Sequence, residues 1–145
     1  MANGREFKAS LGAWATQVGD KLDALARQSA LRMSRNVIQA TPVDTGFLRG
    51  SWQPSIGAPA TAAASPDKSG SARLAQVALT VTGLKRGERF YLINNARYAM
   101  RMEYGFVGED SLGRTYNQKG RFYVGDQIKR WPQVVAAVAQ ELKLS

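Results

Sequence analysis

The sequence predicts an α+β fold: a long N-terminal helix and a C-terminal helix packed on a small, mainly antiparallel sheet, with two long loops. Three observations predict it. Near both ends apolar residues recur at steps of three and four, which lines one face of a helix. Between them, shorter stretches alternate with period two or run continuously apolar, as strands do. The length of 145 residues fits a single domain with one packed core. Segments 57–72 and 107–120 are expected to be loops that are mobile or that dock a neighbour.

The first helix is read from Leu11, Trp14, Val18, Leu22, Leu25, Ser29, Met33, Val37 and Ala40, with Asp20, Asp23 and Arg27 on the opposite side. Ser10 stands where an N-cap belongs, and Gly19 weakens the middle by about 1 kcal/mol relative to Ala. Thr41-Pro42 ends the helix, because a residue before proline is pushed out of the helical region. A helix over 10–40 is long for so small a domain, so part of it is expected to leave its own core and meet another subunit.

Pro42-Val43-Asp44-Thr45-Gly46 follows as a compact turn. Asp44 is placed to accept hydrogen bonds from the amides ahead of it, and Gly46 to take a positive φ. From Phe47 the period becomes two: Leu48, Trp52 and Ile56 face one way, Arg49, Ser51, Gln53 and Ser55 the other, with Pro54 marking a sheet edge. Segment 57–72 is rich in Ala, Pro, Ser and Gly. Ala75, Leu79 and Leu84 suggest a helix over 71–82 stopped by Gly83, although the β-branched Val77, Thr80, Val81 and Thr82 suit a strand. Residues 89–93 read as a buried central strand broken by Asn94-Asn95. Residues 98–105 suggest one or two helical turns closed by Gly105. Polar residues with turn signals fill 107–120. Val124, Ile128, Trp131, Val135, Val138 and Leu142 give the last helix, which Pro132 either kinks or starts afresh. Trp14, Trp52 and Trp131 all fall on apolar stripes and are assigned to the core.

Composition narrows the chemistry. There is no cysteine and no histidine, which removes disulfides, thiolate metal sites and the usual Ser-His-Asp and Cys-His machinery. The net charge of +9 favours anionic partners, and leaves non-specific contact with genomic DNA as one reading and a solvated basic surface as another. No run of about 20 apolar residues is present to span a bilayer, and no secretory signal is seen, so a cytoplasmic protein is expected.

Two constellations stand out. One is Thr41-Pro42-Val43-Asp44-Thr45-Gly46-Phe47-Leu48-Arg49-Gly50-Ser51-Trp52; the other is Asn94-Asn95, Tyr98-Ala99 and Glu103-Tyr104-Gly105. As chemistry, Asp44 and Thr45 with Arg49 could form a nucleophile and anion clamp, and Glu103 an acid/base group beside Tyr98 or Tyr104. Thr45 lacks a base to activate it, so capping and ion pairing are the simpler assignments. Glu109-Asp110 offers too few oxygen ligands for a cation site, and Gly46 and Gly50 lack the context of a phosphate loop. Arg114, Tyr116, Lys119 and Arg121 are candidate contacts to DNA or to an acidic partner; a solvated loop is the alternative.

Together these motifs resemble the signature of a phage tail-component family, the neck and tail-completion proteins of siphophages and related prophages. The resemblance spans about residues 11–105. It rests on Pro42, Asp44, Thr45, Gly46, Leu48 and Arg49 after the long helix, then on Asn94, Asn95, Tyr98, Glu103, Tyr104 and Gly105. Beyond it, Val107 to Gly113 departs from the family's usual turn. The resemblance implies a non-enzymatic virion protein without cofactor or metal, assembled in the host cytoplasm and placed at the head-tail junction. It implies a six-fold ring of copies, stacked on the tail-terminator ring and facing the head connector. Rival readings are a basic DNA-binding protein and a carboxylate-based hydrolase.

Overall fold

The computed structural model describes residues 4–62 and 64–144. The fold is α+β. Helix α1 (Gly4–Ala40) leads into a helical turn, α2 (Phe47–Gly50), and strand β1 (Trp52–Ile56). Helix α3 (Ser71–Val81), strand β2 (Phe90–Asn94) and helix α4 (Ala99–Tyr104) follow. Strands β3 (Gly105–Glu109) and β4 (Thr115–Lys119), helical turn α5 (Gly125–Ile128) and helix α6 (Trp131–Glu141) complete it.

Helix α1 extends further than its capping signal predicted. It runs straight through Ser10 and ends at Ala40 as the Thr41-Pro42 pair dictates. Its 37 residues make a rod of roughly 55 Å. Packing begins at Gly19, which is buried with Ser29, Ser34, Val37 and Ile38, whereas residues 4–17 are all exposed. Trp14 is therefore on the surface, as is Trp131, and Trp52 alone of the three tryptophans is core. Periodicity marks which residues share a face; it does not say whether anything in the same chain covers that face. Asp23 and Arg27, on the side expected to face water, lash α1 to the segment after α3. Arg27 Nε donates to the Leu84 carbonyl at 2.8 Å, and Arg86 pairs with Asp23 at 3.0 Å.

The small sheet is two separate antiparallel pairs, β1 with β2 and β3 with β4. In the first, Trp52 faces Asn94 and Ile56 faces Phe90. The expected strand from Phe47 thus begins five residues late, because 47–50 coil into α2. Alternation also fails in β1: Gln53 and Pro54 are buried beside Trp52, since segment 57–70 covers the face expected to be wet. Strand β2 is half-buried, not central, because β1 is its sole partner. Segment 107–120 holds the β3–β4 hairpin and is not a loop along its length. Its turn is fastened by Asp110, which accepts the Leu112 and Arg114 amides at 2.9 Å each.

Between the strands, α3 is a helix, but its buried face is Val77 and Val81, with Leu84 just beyond. Leu79 is 75% exposed. Of the β-branched residues that suggested a strand, Val77 and Val81 are buried, whereas Thr80 is half-buried and Thr82 exposed. In the C-terminal region Pro132 sits in the first turn of α6, where its missing N–H costs nothing, and Val134 and Val138 are its buried residues. The core gathers Val37, Ile38, Leu48, Trp52, Val77, Val81, Ala96, Ala99 and Tyr123.

Candidate functional site

The helix-to-strand motif is built on a tight reversal. Gly46 has φ 85°, a backbone state open to glycine at little cost. Gly50 lies against the crossing chain so closely that a methyl group there would overlap the Ser65 carbonyl oxygen. Thr41 joins the end of α1 to β1: its hydroxyl donates to the Val37 carbonyl at 2.7 Å and accepts the Trp52 indole N–H at 2.8 Å. Leu48 is buried in the core. The Arg49 guanidinium is engaged by its own chain: it donates to the carbonyls of Lys68 (2.8 Å), Gln39 (2.9 Å) and Thr41 (3.0 Å). It knits α1, the turn and the long segment before α3 into one joint.

Asp44 departs from its expected part. The Phe47 amide is taken by the Thr45 hydroxyl at 3.2 Å, which leaves the Asp44 carboxylate without a capping bond among the described residues. Asp44 is exposed and lines a cavity of about 360 Å³ with Pro42, Thr45, Phe47, Tyr98, Met102 and Arg121. The Tyr98 phenol is raised above its ordinary pKa, first by burial and then by the charge of Asp44. Its ring lies 6.3 Å from that of Phe47.

The second motif meets the first at this place. Asn94 donates its side-chain N–H to the Leu48 carbonyl at 2.8 Å and accepts the Ala96 amide at 3.0 Å. Asn95 donates to the Ala60 carbonyl at 3.3 Å. Glu103 is buried, and its two oxygens accept the amides of Val124 (2.9 Å) and Gly125 (2.8 Å). Tyr104 is exposed and packs edge-on to Phe122 at 6.5 Å, while Gly105 closes α4 and opens β3.

These residues hold backbone groups, and that limits the chemistry open to them. Glu103 faces two amide N–H groups and no second carboxylate, whereas carboxylate hydrolysis needs two acids across a substrate. Among the described residues no cluster of three or more acidic side chains is disposed to hold a metal. The cavity beside Asp44 is lined by one carboxylate, one guanidinium, the Tyr98 phenol, the Thr45 hydroxyl and an apolar wall.

No family model matches this chain, and neither a curated protein nor a solved structure is similar enough to match it. No helix among the described residues is long and apolar enough to cross a membrane. Of the four candidate contact residues, Arg114 and Tyr116 are engaged with Asp110 within the hairpin. Lys119 is exposed on β4, and Arg121 lines the cavity opposite Asp44.

Several residues with structural work carried no earlier assignment. Asp67 accepts the amides of Gly70 and Arg73, each at 3.0 Å, and so caps α3. The recognisable start signal is a capping residue immediately before the helix; Asp67 stands four residues ahead of Ser71, so no such signal marked it. Segment 57–70 is tied down at Ala58, Ala62 and Asp67: Gln53 donates to Ala62, Ser55 to Ala58, and the Asp67 amide donates to Gly46. No sequence pattern announces these partners, which lie between 3 and 21 residues away along the chain.

Proposed function

We propose that this chain is a non-enzymatic structural subunit of a long-tailed phage, one that completes the tail end and joins it to the head connector as a ring of copies, six-fold to match the tail. The observation that carries the reading is the meeting of the two motifs of the resemblance in one joint. Asn94 of the second motif bonds the Leu48 carbonyl of the first, and Arg49 and Glu103 each bind backbone groups of their own chain on either side of it. Residues used in this way shape a subunit for docking; they are not poised over a substrate. The net charge of +9 suits a position beside nucleic acid or an acidic protein ring.

The experiment is electron cryo-microscopy of particles from a phage that carries the gene, together with a deletion. The chain is expected at the head-tail junction, and deletion is expected to yield filled heads and separate tails. Joined, infectious particles that lack the chain would overturn the reading.

A further inference from the structure

We propose that the first turns of α1 seat in an apolar groove on the body of a second copy of this chain, so that copies are joined arm to groove. This deepens the self-assembly part of the reading above and does not depend on the virion.

The arm carries the first observation. Phe7, Leu11 and Trp14 are 66%, 52% and 62% exposed, and their steps of four and three put them on one side of α1. Phe7 and Trp14 alone leave about 250 Å² of mostly apolar surface in water. Isolated exposed apolar residues are ordinary; three aligned on a projecting rod form a patch that marks an interface.

The groove is the second. It encloses about 430 Å³ between α1 (Ala30, Met33), β2 (Phe90, Leu92) and the approach to α6 (Ile128, Trp131). Ile128 and Trp131 are themselves exposed, so this surface too stands open in the single chain. Glu88 is the sole charged residue of its lining, and on the arm Arg5 and Lys8 outnumber Glu6, the one acid between Gly4 and Gln17. The signs are complementary.

The occupant follows from geometry. The groove's edge on α1 runs from Ala26 to Val37, and the arm's apolar stripe runs from Phe7 to Val18. Each advances eleven residues along a helix, about 17 Å, so arm and groove match in length. The arm cannot fill the groove of its own chain, because α1 is unbroken from Gly4 to Ala40 and carries both. A second copy supplies an arm of the right length, apolar face and charge. Each copy then offers one arm and one groove, the head-to-tail arrangement that closes rings.

The test uses the full chain and two variants at exposed positions, Leu11→Glu with Trp14→Glu in the arm and Ile128→Glu with Trp131→Glu in the groove. Sedimentation of the unaltered protein is expected to show multiples of 15.8 kDa. Each variant alone is expected as a single 15.8 kDa chain, and an equimolar mixture as a one-to-one pair, because one intact arm meets one intact groove. An unaltered protein that stays monomeric, an arm variant that assembles as before, or a mixture that stays monomeric would each overturn the proposal. The chain has no cysteine, so Trp14→Cys on one copy and Ile128→Cys on another give an independent reading even if the groove variant fails to fold. A cross-linked pair of the two is expected, and its absence counts against the contact. Monomeric protein would remove the arm-groove contact whatever the virion shows, whereas junctions lacking the chain would remove the virion reading and leave the contact standing.

Discussion

Glu103 lies 6% exposed, with each oxygen bonded to an amide at the start of α5. A buried carboxylate is costly unless such donors compensate it, and bonds to a charged acceptor are stronger than neutral ones. Glu103→Ala removes both and strands two amides, so a loss of about 2–4 kcal/mol is expected in urea unfolding; a loss below 1 kcal/mol would contradict the capping role. Tyr123, next to it, donates its hydroxyl to the Ala99 carbonyl at 3.0 Å. Burial, then the charge of Glu103, then Tyr98, push its phenol up to about 12. The folded protein holds this proton more tightly than the unfolded chain, whose phenol titrates near 10. Its contribution is therefore complete below about pH 10 and is lost as pH rises through about 12, amounting to at most about 2–3 kcal/mol. Urea midpoints compared between the protein and Tyr123→Phe should show the variant less stable by about 1 kcal/mol at neutral pH. That gap should vanish, then reverse, by pH 12.

Among the elements, those with a strong period and a stop signal were legible: the end of α1 at Ala40, α3, the Pro132 start of α6 and the glycine that closes α4. What failed had a tertiary cause. The 47–50 turn reads as strand because Leu48 and Trp52 are both apolar, yet Gly46 and the Ser65 chain force a coil there. The joint of Arg49, Asn94 and Glu103 was legible as two motifs, but not as one place, since 46 residues separate Leu48 from Asn94. The β3–β4 hairpin was hidden because β4 is polar and mostly exposed, and β3, only half-buried, has no fully buried residue to mark a face. A two-stranded hairpin of this kind is marginal alone, so its turn matters. Asp110 sits below the ordinary carboxylate value of 3.8, chiefly through the Arg114 amide. A lowered folded pKa means the contribution is present above that value and is lost as pH falls through the lower one. The Leu112 and Arg114 amide resonances should hold their positions at pH 5 and shift together only as pH falls below the ordinary value of 3.8. Asp110→Asn should abolish that coupled shift; an unchanged titration would show that another group fastens the turn.

On the scale of the whole molecule, the chain is a packed body with a rod leaving it. The body's helices and strands bury one another, but residues 4–17 of α1 meet no such cover. An isolated helix of that length is marginal in water, because nucleation is costly and packing supplies most helical stability. The body half of α1 anchors the rod, so the arm inherits a helical start but has no packing of its own over residues 7–17. At concentrations where the chain is a single copy, backbone amides of residues 5–17 are expected to exchange with deuterium within seconds. Those of 29–38, which flank buried Ser29, Ser34, Val37 and Ile38, should be protected for hours or longer. Raising the concentration until copies associate should slow exchange over 5–17 together, with slower exchange at 90–92 and 128–131 as the groove is filled. Protection that appears in the arm without the groove segments would mean that arms pair with each other, and uniform protection at all concentrations would mean that the rod is stable without a neighbour.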